Sequence, residues 1–173
     1  MGGMITVRTE RLEDRGATAA VLTSAFSQDL EARLVEALRH STGFVEELSL
    51  VAEVDGRIVG YCLFTPAGIG ECADRALALA PLAVLPEFQG RGVGSELVRH
   101  GLAAGRARGF GAVIVVGHPE YYPRFGFAPA RHLGLTPPFP APDEVFMALE
   151  LFPGALHGCG GVVRYPPVFD MAL

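Results

Sequence analysis

The sequence contains no lysine, and all 14 of its permanently positive side chains are arginine. A P-loop nucleotide site needs a lysine directly after its last glycine to reach the phosphates, so this absence excludes that class of protein. Any side chain that clamps a phosphate in this chain has to carry a guanidinium group. The other donors available to a phosphate are backbone amides.

Long apolar runs are also missing. The longest, Ala76 to Leu85, is interrupted by Pro81 and is too short to span a bilayer. The N-terminus lacks the succession of basic, apolar and small residues that marks a secretory signal. The sequence therefore predicts a cytoplasmic protein that does not associate with membranes.

Cysteine is scarce, and the three residues present are Cys62, Cys72 and Cys159. Their number is odd, and their spacing fits neither a metal site nor a redox motif. This pattern is typical of free thiols in a reducing compartment. We therefore expect neither a disulfide framework nor a bound metal.

The chain has no excess of positive charge, since its formal net charge is −5. A nucleic-acid partner is not expected, because neutralising a phosphate backbone requires clustered positive charge over a broad face. One local basic cluster has two open readings, a solvated helix face or a surface that attracts a multiply phosphorylated small ligand. The cluster consists of Arg91, Arg99, His100, Arg106 and Arg108.

The composition that remains is typical of a compact domain. Half of the 173 residues are hydrophobic, and a chain of this length can bury a full core without the help of disulfides or metal ions. No internal repeat or low-complexity tract divides it. We expect a single domain over residues 1–173, in which residues 152–173 form a C-terminal extension that packs on the same domain.

Apolar periodicity outlines a series of strands and helices that predicts an α/β domain with a mixed sheet. Ala76–Leu85 is apolar enough to lie centrally, and Ala112–Val116 is a second buried strand, parallel to it because a helix joins the two. Pro81 predicts a bulge or a local break in pairing. The other predicted elements are a strand at Met4–Thr9, helices opening at Asp14 or Thr18 and at Asp29, a hairpin of Leu48–Val54 with Arg57–Phe64 around Asp55-Gly56, a loop at Thr65–Arg75, a short helix at Pro119–Phe125, and strands at Glu144–Leu151 and Val162–Tyr165.

The stretch from Leu82 to Ser95 joins an apolar strand to an amphipathic helix through a turn that contains Gly90, Gly92 and Gly94. A helix start presents unpaired backbone N–H groups and the positive end of the helix dipole, and glycines leave the approach to them open. We therefore predict a phosphate cradle. A dinucleotide fingerprint does not fit it, because the glycine spacing is G-x-G-x-G and the turn comes late in the chain.

Gln89 to Gly94 reads Q-G-R-G-V-G, which resembles the Q/R-x-x-G-x-G/A signature of the Gcn5-related N-acetyltransferases (GNAT family). Tyr122 to Phe127, as Y-x-x-x-G-F, falls where that family carries the same pattern, and the Y-P-P-V-F tail is similar to its YhbS-like branch. The resemblance implies the GNAT fold, an α/β architecture with a mixed central β-sheet of about seven strands, flanked by helices and splayed at the donor-binding strand.

The resemblance also implies acetyl-CoA as the acetyl donor and no metal. In this family the pyrophosphate lies on backbone amides of the glycine turn, and the pantetheine arm pairs with the preceding strand like an added strand. The cofactor-binding residues that it implies here are Leu82, Ala83, Val84, Gln89, Gly90, Arg91, Gly92, Val93, Gly94 and Ser95.

Acetyl transfer from a thioester to an amine needs a neutral nucleophile, an oxyanion donor and an acid for the departing thiolate. The resemblance implies a backbone N–H of Leu82–Val84 as the oxyanion donor and Tyr122 as the general acid. The strand Ala112–Val116 lacks the glutamate base that some relatives carry. His118 is a candidate base with a suitable ordinary pKa, although a loop histidine that caps the turn is the alternative. Further candidates are Glu53, Glu71, Asp74, Glu120 and a chain of water molecules.

The predicted function is an N-acetyltransferase that moves the acetyl group of acetyl-CoA to a primary amine by direct transfer in a ternary complex. The acceptor is a small-molecule amine or a protein amine, and a homodimer is left open. A covalent route through one of the three cysteines is disfavoured. The alternative prediction is a non-catalytic sensor or interaction module that binds acyl-CoA.

Overall fold

The computed structural model describes residues 3–172. The strands are β1 (Ile5–Thr9), β2 (Ser49–Val54), β3 (Arg57–Ile69), β4 (Cys72–Val84), β5 (Ala112–Val116), β6 (Ala128–Pro129), β7 (Leu135–Thr136), β8 (Phe146–Glu150) and β9 (Gly161–Arg164), and the α-helices are α1 (Arg15–Phe26), α2 (Leu30–Arg39) and α3 (Val93–Ala107). Hydrogen bonding orders the strands β1-β2-β3-β4-β5-β8-β6, and β9 pairs with both β3 and β7. The neighbours β4 and β5 run parallel, whereas β1 with β2 and β5 with β8 run antiparallel, so the predicted mixed α/β architecture is confirmed.

The chain divides into two compact units. Unit 1 comprises Met1–Phe64, Ala80–Ala104 and Pro167–Leu173, and unit 2 comprises Thr65–Leu79 and Gly105–Pro166. Unit 1 therefore holds β1, β2, both α1 and α2, and the glycine turn. Unit 2 holds β5 to β9.

The hairpin and helix starts of unit 1 form as the sequence predicts. Asp55 and Gly56 take the positive φ angles of 52° and 76° that a two-residue hairpin turn requires. Asp14 and Asp29 stand at the N-caps of α1 and α2. These features depend on a few neighbouring residues, which is why sequence patterns find them.

Helix α3 lies against β3 within unit 1, and two glycines permit the close approach. A Cβ atom at Gly60 would lie 2.9 Å from both Val93 Cγ1 and Leu97 Cδ1. A Cβ atom at Gly101 would overlap the buried ring of Phe64. This packing fixes the first turn of α3, and the glycine turn that leads into it, against the sheet.

Unit 1 contains a buried polar cluster that no sequence pattern predicts. Arg39 Nη2 donates to Glu10 Oε2 over 2.6 Å, and both side chains are at least 95% buried. Ser49 Oγ donates to Glu10 Oε1 over 3.0 Å and shares a second hydrogen bond, of 2.7 Å, with the Tyr61 hydroxyl. Burial raises the pKa of Tyr61, so the phenol stays neutral. The cluster ties α2 to β2 and β3, and its charges are paired as burial requires.

The predicted loop at Thr65–Arg75 is wrong for most of its length. Strand β3 continues to Ile69, and β4 begins at Cys72, so only a tight turn separates them. The extra residues of β3 pair with β9, in the register Gly68 with Arg164 and Ile69 with Val163. The partner lies some ninety residues later, which local periodicity does not reveal.

The prediction of three free thiols is also wrong. Cys72 and Cys159 form a disulfide, with their Cα atoms 5.9 Å apart, and Cys62 alone is free and buried. The two bonded cysteines are 87 positions apart in sequence and meet in unit 2, where β9 pairs with the end of β3. The spacing of the cysteines along the chain does not reveal that these two lie close together. Burial raises the pKa of the Cys62 thiol, so this remaining cysteine is a poor nucleophile.

Candidate active site

The turn between β4 and α3 has open space beside two of its glycines. Gly90 and Gly92 have φ angles of 76° and 87°, a left-handed conformation that favours glycine. A Cβ atom added at either residue would meet no protein atom within 4 Å. The first bond of α3 runs from the Glu96 N–H to the Gly92 carbonyl over 3.1 Å, so the amides of Val93 and Gly94 precede the helical ladder. The turn has the room and the backbone donors that a phosphate needs.

The strand segment that enters the turn is anchored at its end. Leu82 and Val84 are half-buried and Ala83 is buried. The Leu85 N–H donates to the Val59 carbonyl over 2.8 Å, which holds the chain just past β4. The Ala80–Pro81 peptide bond at the start of this segment is cis, and β4 continues through it as a strand.

Gln89, the first residue of the motif, has a partner of its own. Its Nε2 atom donates to the Val84 carbonyl over 3.1 Å. The side chain thus links the glycine turn back to the last residue of β4. In the geometry seen here Gln89 supports the turn, and a direct contact with a ligand stays a prediction.

Two arginines stack on one aromatic ring beside the glycine turn. Arg91 Cζ lies 5.1 Å from the centroid of the Phe88 ring, and Arg57 Cζ lies 5.5 Å from the same centroid. Arg91 belongs to the basic cluster predicted from sequence, whereas Arg57 does not. Arg57 follows the Asp55-Gly56 hairpin turn and is 34 positions away from Arg91. No sequence signal connects them, because strand pairing brings them together.

The rest of the predicted basic cluster has other partners. Arg99 Nη1 lies 3.6 Å from Glu96 Oε1, and His100 Nδ1 lies 2.9 Å from the Glu96 carbonyl. In unit 2, Arg106 Nε donates to the Leu151 carbonyl over 2.7 Å. The contact of Arg91 with Phe88, in contrast, lies at the glycine turn itself.

Tyr122 is held in unit 2 by aromatic packing. It begins a short 3₁₀ helix, Tyr122–Phe125, that ends at Gly126 with a φ angle of 102°. Its side chain is 7% exposed, and its ring centroid lies 5.7 Å from that of Phe127. A Cβ atom at Gly117 would collide with this ring, so the glycine after β5 makes room for it. The ring of Tyr122 is thus held between the aromatic ring of Phe127 and the space left by Gly117.

The candidate bases differ in how they are held. The His118 carbonyl accepts the N–H groups of Tyr121 and Tyr122 over 3.1 and 3.4 Å, while its side chain is exposed. Glu53 is already paired, because its Oε1 accepts a hydrogen bond of 2.9 Å from Arg8 Nε. The remaining candidates, Glu71, Asp74 and Glu120, are exposed.

Two further observations concern the described residues 3–172. In that part of the chain no group of three or more His, Cys, Asp or Glu side chains could hold a metal ion. None of its helices is both long and apolar enough to cross a membrane.

Residues 16–127 match the model of the acetyltransferase (GNAT) family. The chain therefore belongs to the GNAT family of N-acetyltransferases, as its glycine motif predicts. It is 36% identical over 165 residues to the uncharacterized N-acetyltransferase YhbS of Escherichia coli K12, a match that covers 95% of this chain and 98% of YhbS. The predicted YhbS-like branch is confirmed by this match.

Solved structures support the same conclusion. The crystal structure of Escherichia coli YhbS in complex with CoA superposes with a TM-score of 0.90 at 34% identity, covering 98% of this chain and 94% of YhbS. A GNAT family acetyltransferase from Brucella melitensis, in complex with acetyl-CoA, superposes with a TM-score of 0.79 at 32% identity, covering 96% of this chain and 99% of that protein. The GNAT fold is thereby confirmed, and similar proteins bind CoA or acetyl-CoA.

Proposed function

We propose that this chain transfers the acetyl group of acetyl-CoA directly to a primary amine of an acceptor bound in the same complex. The observation that carries this proposal is the open turn before α3, where Gly90 and Gly92 are left-handed and have free space at their Cβ positions. The CoA and acetyl-CoA complexes of the similar proteins support it.

The donor is bound by main chain in this proposal. The backbone amides from Gly90 to Ser95, at the positive end of α3, hold the pyrophosphate. The pantetheine amides pair with Leu82, Ala83 and Val84 as an added strand, which orients the thioester without the use of side chains. Gln89 supports this arrangement through its bond to Val84.

Each step of the chemistry then has a candidate group. The neutral amine attacks the thioester carbonyl, a C–N bond forms, and the C–S bond breaks. A backbone N–H of Leu82–Val84 stabilises the charge that develops on the carbonyl oxygen. Tyr122 donates its proton to the departing thiolate, and the amine proton passes to His118 or to water. The motif match of Tyr122 and its fixed ring support its role, and the exposed side chain of His118 makes water an equal alternative.

The acceptor belongs to one of two classes, a small-molecule amine or a protein amine. The cytoplasmic location and the homodimer stay predictions. They can be tested by fractionation of cells and by measuring the mass of the protein in solution.

Two measurements on the intact chain test the proposal. Calorimetric titration with acetyl-CoA measures donor binding, and release of the CoA thiol is then measured with a library of primary amines. Thiol release that depends on an added amine is the expected result. Binding without release for every amine would overturn the transferase in favour of an acyl-CoA sensor, and absence of binding would overturn the donor site itself.

A further inference from the structure

The two arginines stacked on Phe88 form a feature that main-chain binding of a pyrophosphate does not use. Arg91 lies inside the glycine turn, and Arg57 lies at the start of β3 in the same unit. Both are exposed, whereas Phe88 is half-buried. Each guanidinium carbon lies within 5.5 Å of the centroid of the one ring. Phe88 therefore restrains two positive charges next to the turn.

These two guanidinium groups have no carboxylate partner among residues 3–172. In contrast, Arg33, Arg39 and Arg131 each lie within 3.4 Å of an acidic oxygen. Stacking on a ring uses the face of a guanidinium group and leaves its N–H groups, which point outward in the plane, able to donate. The charge and the donors of Arg57 and Arg91 remain available to an anion.

The chemistry of the donor supplies a suitable anion. CoA carries a phosphate monoester on its ribose in addition to its pyrophosphate, and a monoester has a second pKa near 6, so it is close to a dianion at neutral pH. Guanidinium groups match the geometry of phosphate oxygens and bind them through paired hydrogen bonds. In a chain without lysine, only arginine can supply such a contact from a permanently charged side chain.

We propose that Arg57 and Arg91, positioned by Phe88, bind the 3′-phosphate of CoA and make this chain selective for CoA over 3′-dephospho-CoA. The inference rests on the proposed function, because it assumes that the glycine turn holds the pyrophosphate. Arg57 and Arg91 contact the ligand, and Phe88 is a positioning residue that acts through them.

The test is a set of calorimetric titrations with CoA and 3′-dephospho-CoA. We expect the wild-type chain to bind CoA at least about tenfold more tightly, since even one charge-assisted contact has that effect and two are proposed. Arg57→Ala is expected to weaken CoA binding and leave 3′-dephospho-CoA binding nearly unchanged. Arg91→Ala, whose backbone belongs to the proposed pyrophosphate cradle, is expected to lower the ratio of the two affinities. Arg33→Ala, an exposed arginine on α2 of the same unit that pairs with Asp29, is the matched control and should leave the preference intact.

Phe88 is tested with two variants. Phe88→Ala is expected to reduce the preference for CoA, and Phe88→Trp, which keeps an aromatic face for both arginines, is expected to retain it. A purely structural role of Phe88 would weaken both ligands together. Thermal unfolding of each variant shows whether it is folded.

The outcomes separate the two proposals. If the wild-type chain binds both ligands equally, or if the arginine variants weaken both ligands by the same factor, the phosphate-monoester site is overturned while the donor site stands. If the wild-type chain binds neither ligand, the proposed function fails and this inference fails with it.

Discussion

Replacing Gly92 by asparagine tests the glycine turn with a built-in control at the other end of α3. Gly92 has a φ angle of 87°, and Gly109, after the last turn of the helix, has one of 86°. A Cβ atom at either position would meet no protein atom within 4 Å. The two sites are therefore equivalent in backbone strain and in free space, but only Gly92 lies in the proposed cradle.

The expected magnitudes follow from this equivalence. Asparagine tolerates the left-handed conformation, and an ordinary residue pays about 1–2 kcal/mol there, so each variant should lose about 1 kcal/mol or less of unfolding free energy. In the proposed cradle, we expect the side chain at position 92 to occupy space that the phosphate would otherwise fill. Loss of one hydrogen bond to a charged phosphate costs about 1.5–3 kcal/mol, which weakens binding by roughly 10- to 150-fold.

The assay pairs urea unfolding with calorimetric titration of acetyl-CoA for both variants. Gly109→Asn should bind as the wild-type chain does, and Gly92→Asn should be equally stable but at least about tenfold weaker in binding. A Gly92→Asn variant that keeps its affinity would refute the assignment of the turn. Equal weakening in both variants would show that strain, rather than blocked access, is responsible.

Three further predictions test other parts of the structure. Tyr122→Phe should lower turnover about 100-fold or more without weakening acetyl-CoA binding, since the aromatic ring is kept and the proposed acid is lost. Tyr121→Phe should stay near wild type, and similar thiol-release rates for the two variants would remove Tyr122 from the acid role. Gly101→Ala should lower the free energy of unfolding, measured in urea, because its Cβ would overlap the buried Phe64 ring on β3. Gly16→Ala, which has open space in α1, should raise that free energy by about 0.5–1 kcal/mol. A Gly101→Ala variant that is more stable than the wild-type chain would contradict the packing of α3. Arg8 Nη1 donates to Asp14 Oδ2 over 2.6 Å, and this hydrogen bond lowers the pKa of Asp14 below the ordinary 3.8. The paired carboxylate therefore stabilises the fold above about pH 4 and loses this effect as pH falls through the lowered pKa. The free energy of unfolding of Asp14→Asn, measured in urea, should fall less steeply below about pH 4 than that of the wild-type chain, and parallel curves would contradict the ion pair of Arg8 with Asp14.

The parts of the fold that could be predicted are those that depend on residues close together in sequence. The hairpin at Asp55-Gly56, the helix end at Gly109 and the turn at Gly126 all need positive φ angles that neighbouring residues reveal. The parallel pairing of β4 with β5 followed from the helix between them. Short strands such as β6 and β7 were not foreseen, because two residues carry no periodicity.

The candidate site likewise has parts that contiguous sequence motifs predict and parts that they do not. The glycine turn was identified from one contiguous motif, and Tyr122 was identified from a second. The contact of Gln89 with Val84 and the stacking of Arg57 on Phe88 were not predictable, because they depend on side-chain directions after the strands have paired.

The sequence by itself determined the family, the glycine turn and the absence of lysine that leaves phosphate binding to backbone amides and arginine. These properties depend on residue type and on the backbone preferences of adjacent residues, so they can be read without the tertiary structure. Only the tertiary structure decided that Cys72 meets Cys159, that β3 continues to pair with β9, and that Arg57 joins Arg91. Each of these depends on strand register across many tens of residues, and register is set by the packing of the whole sheet rather than by any local stretch.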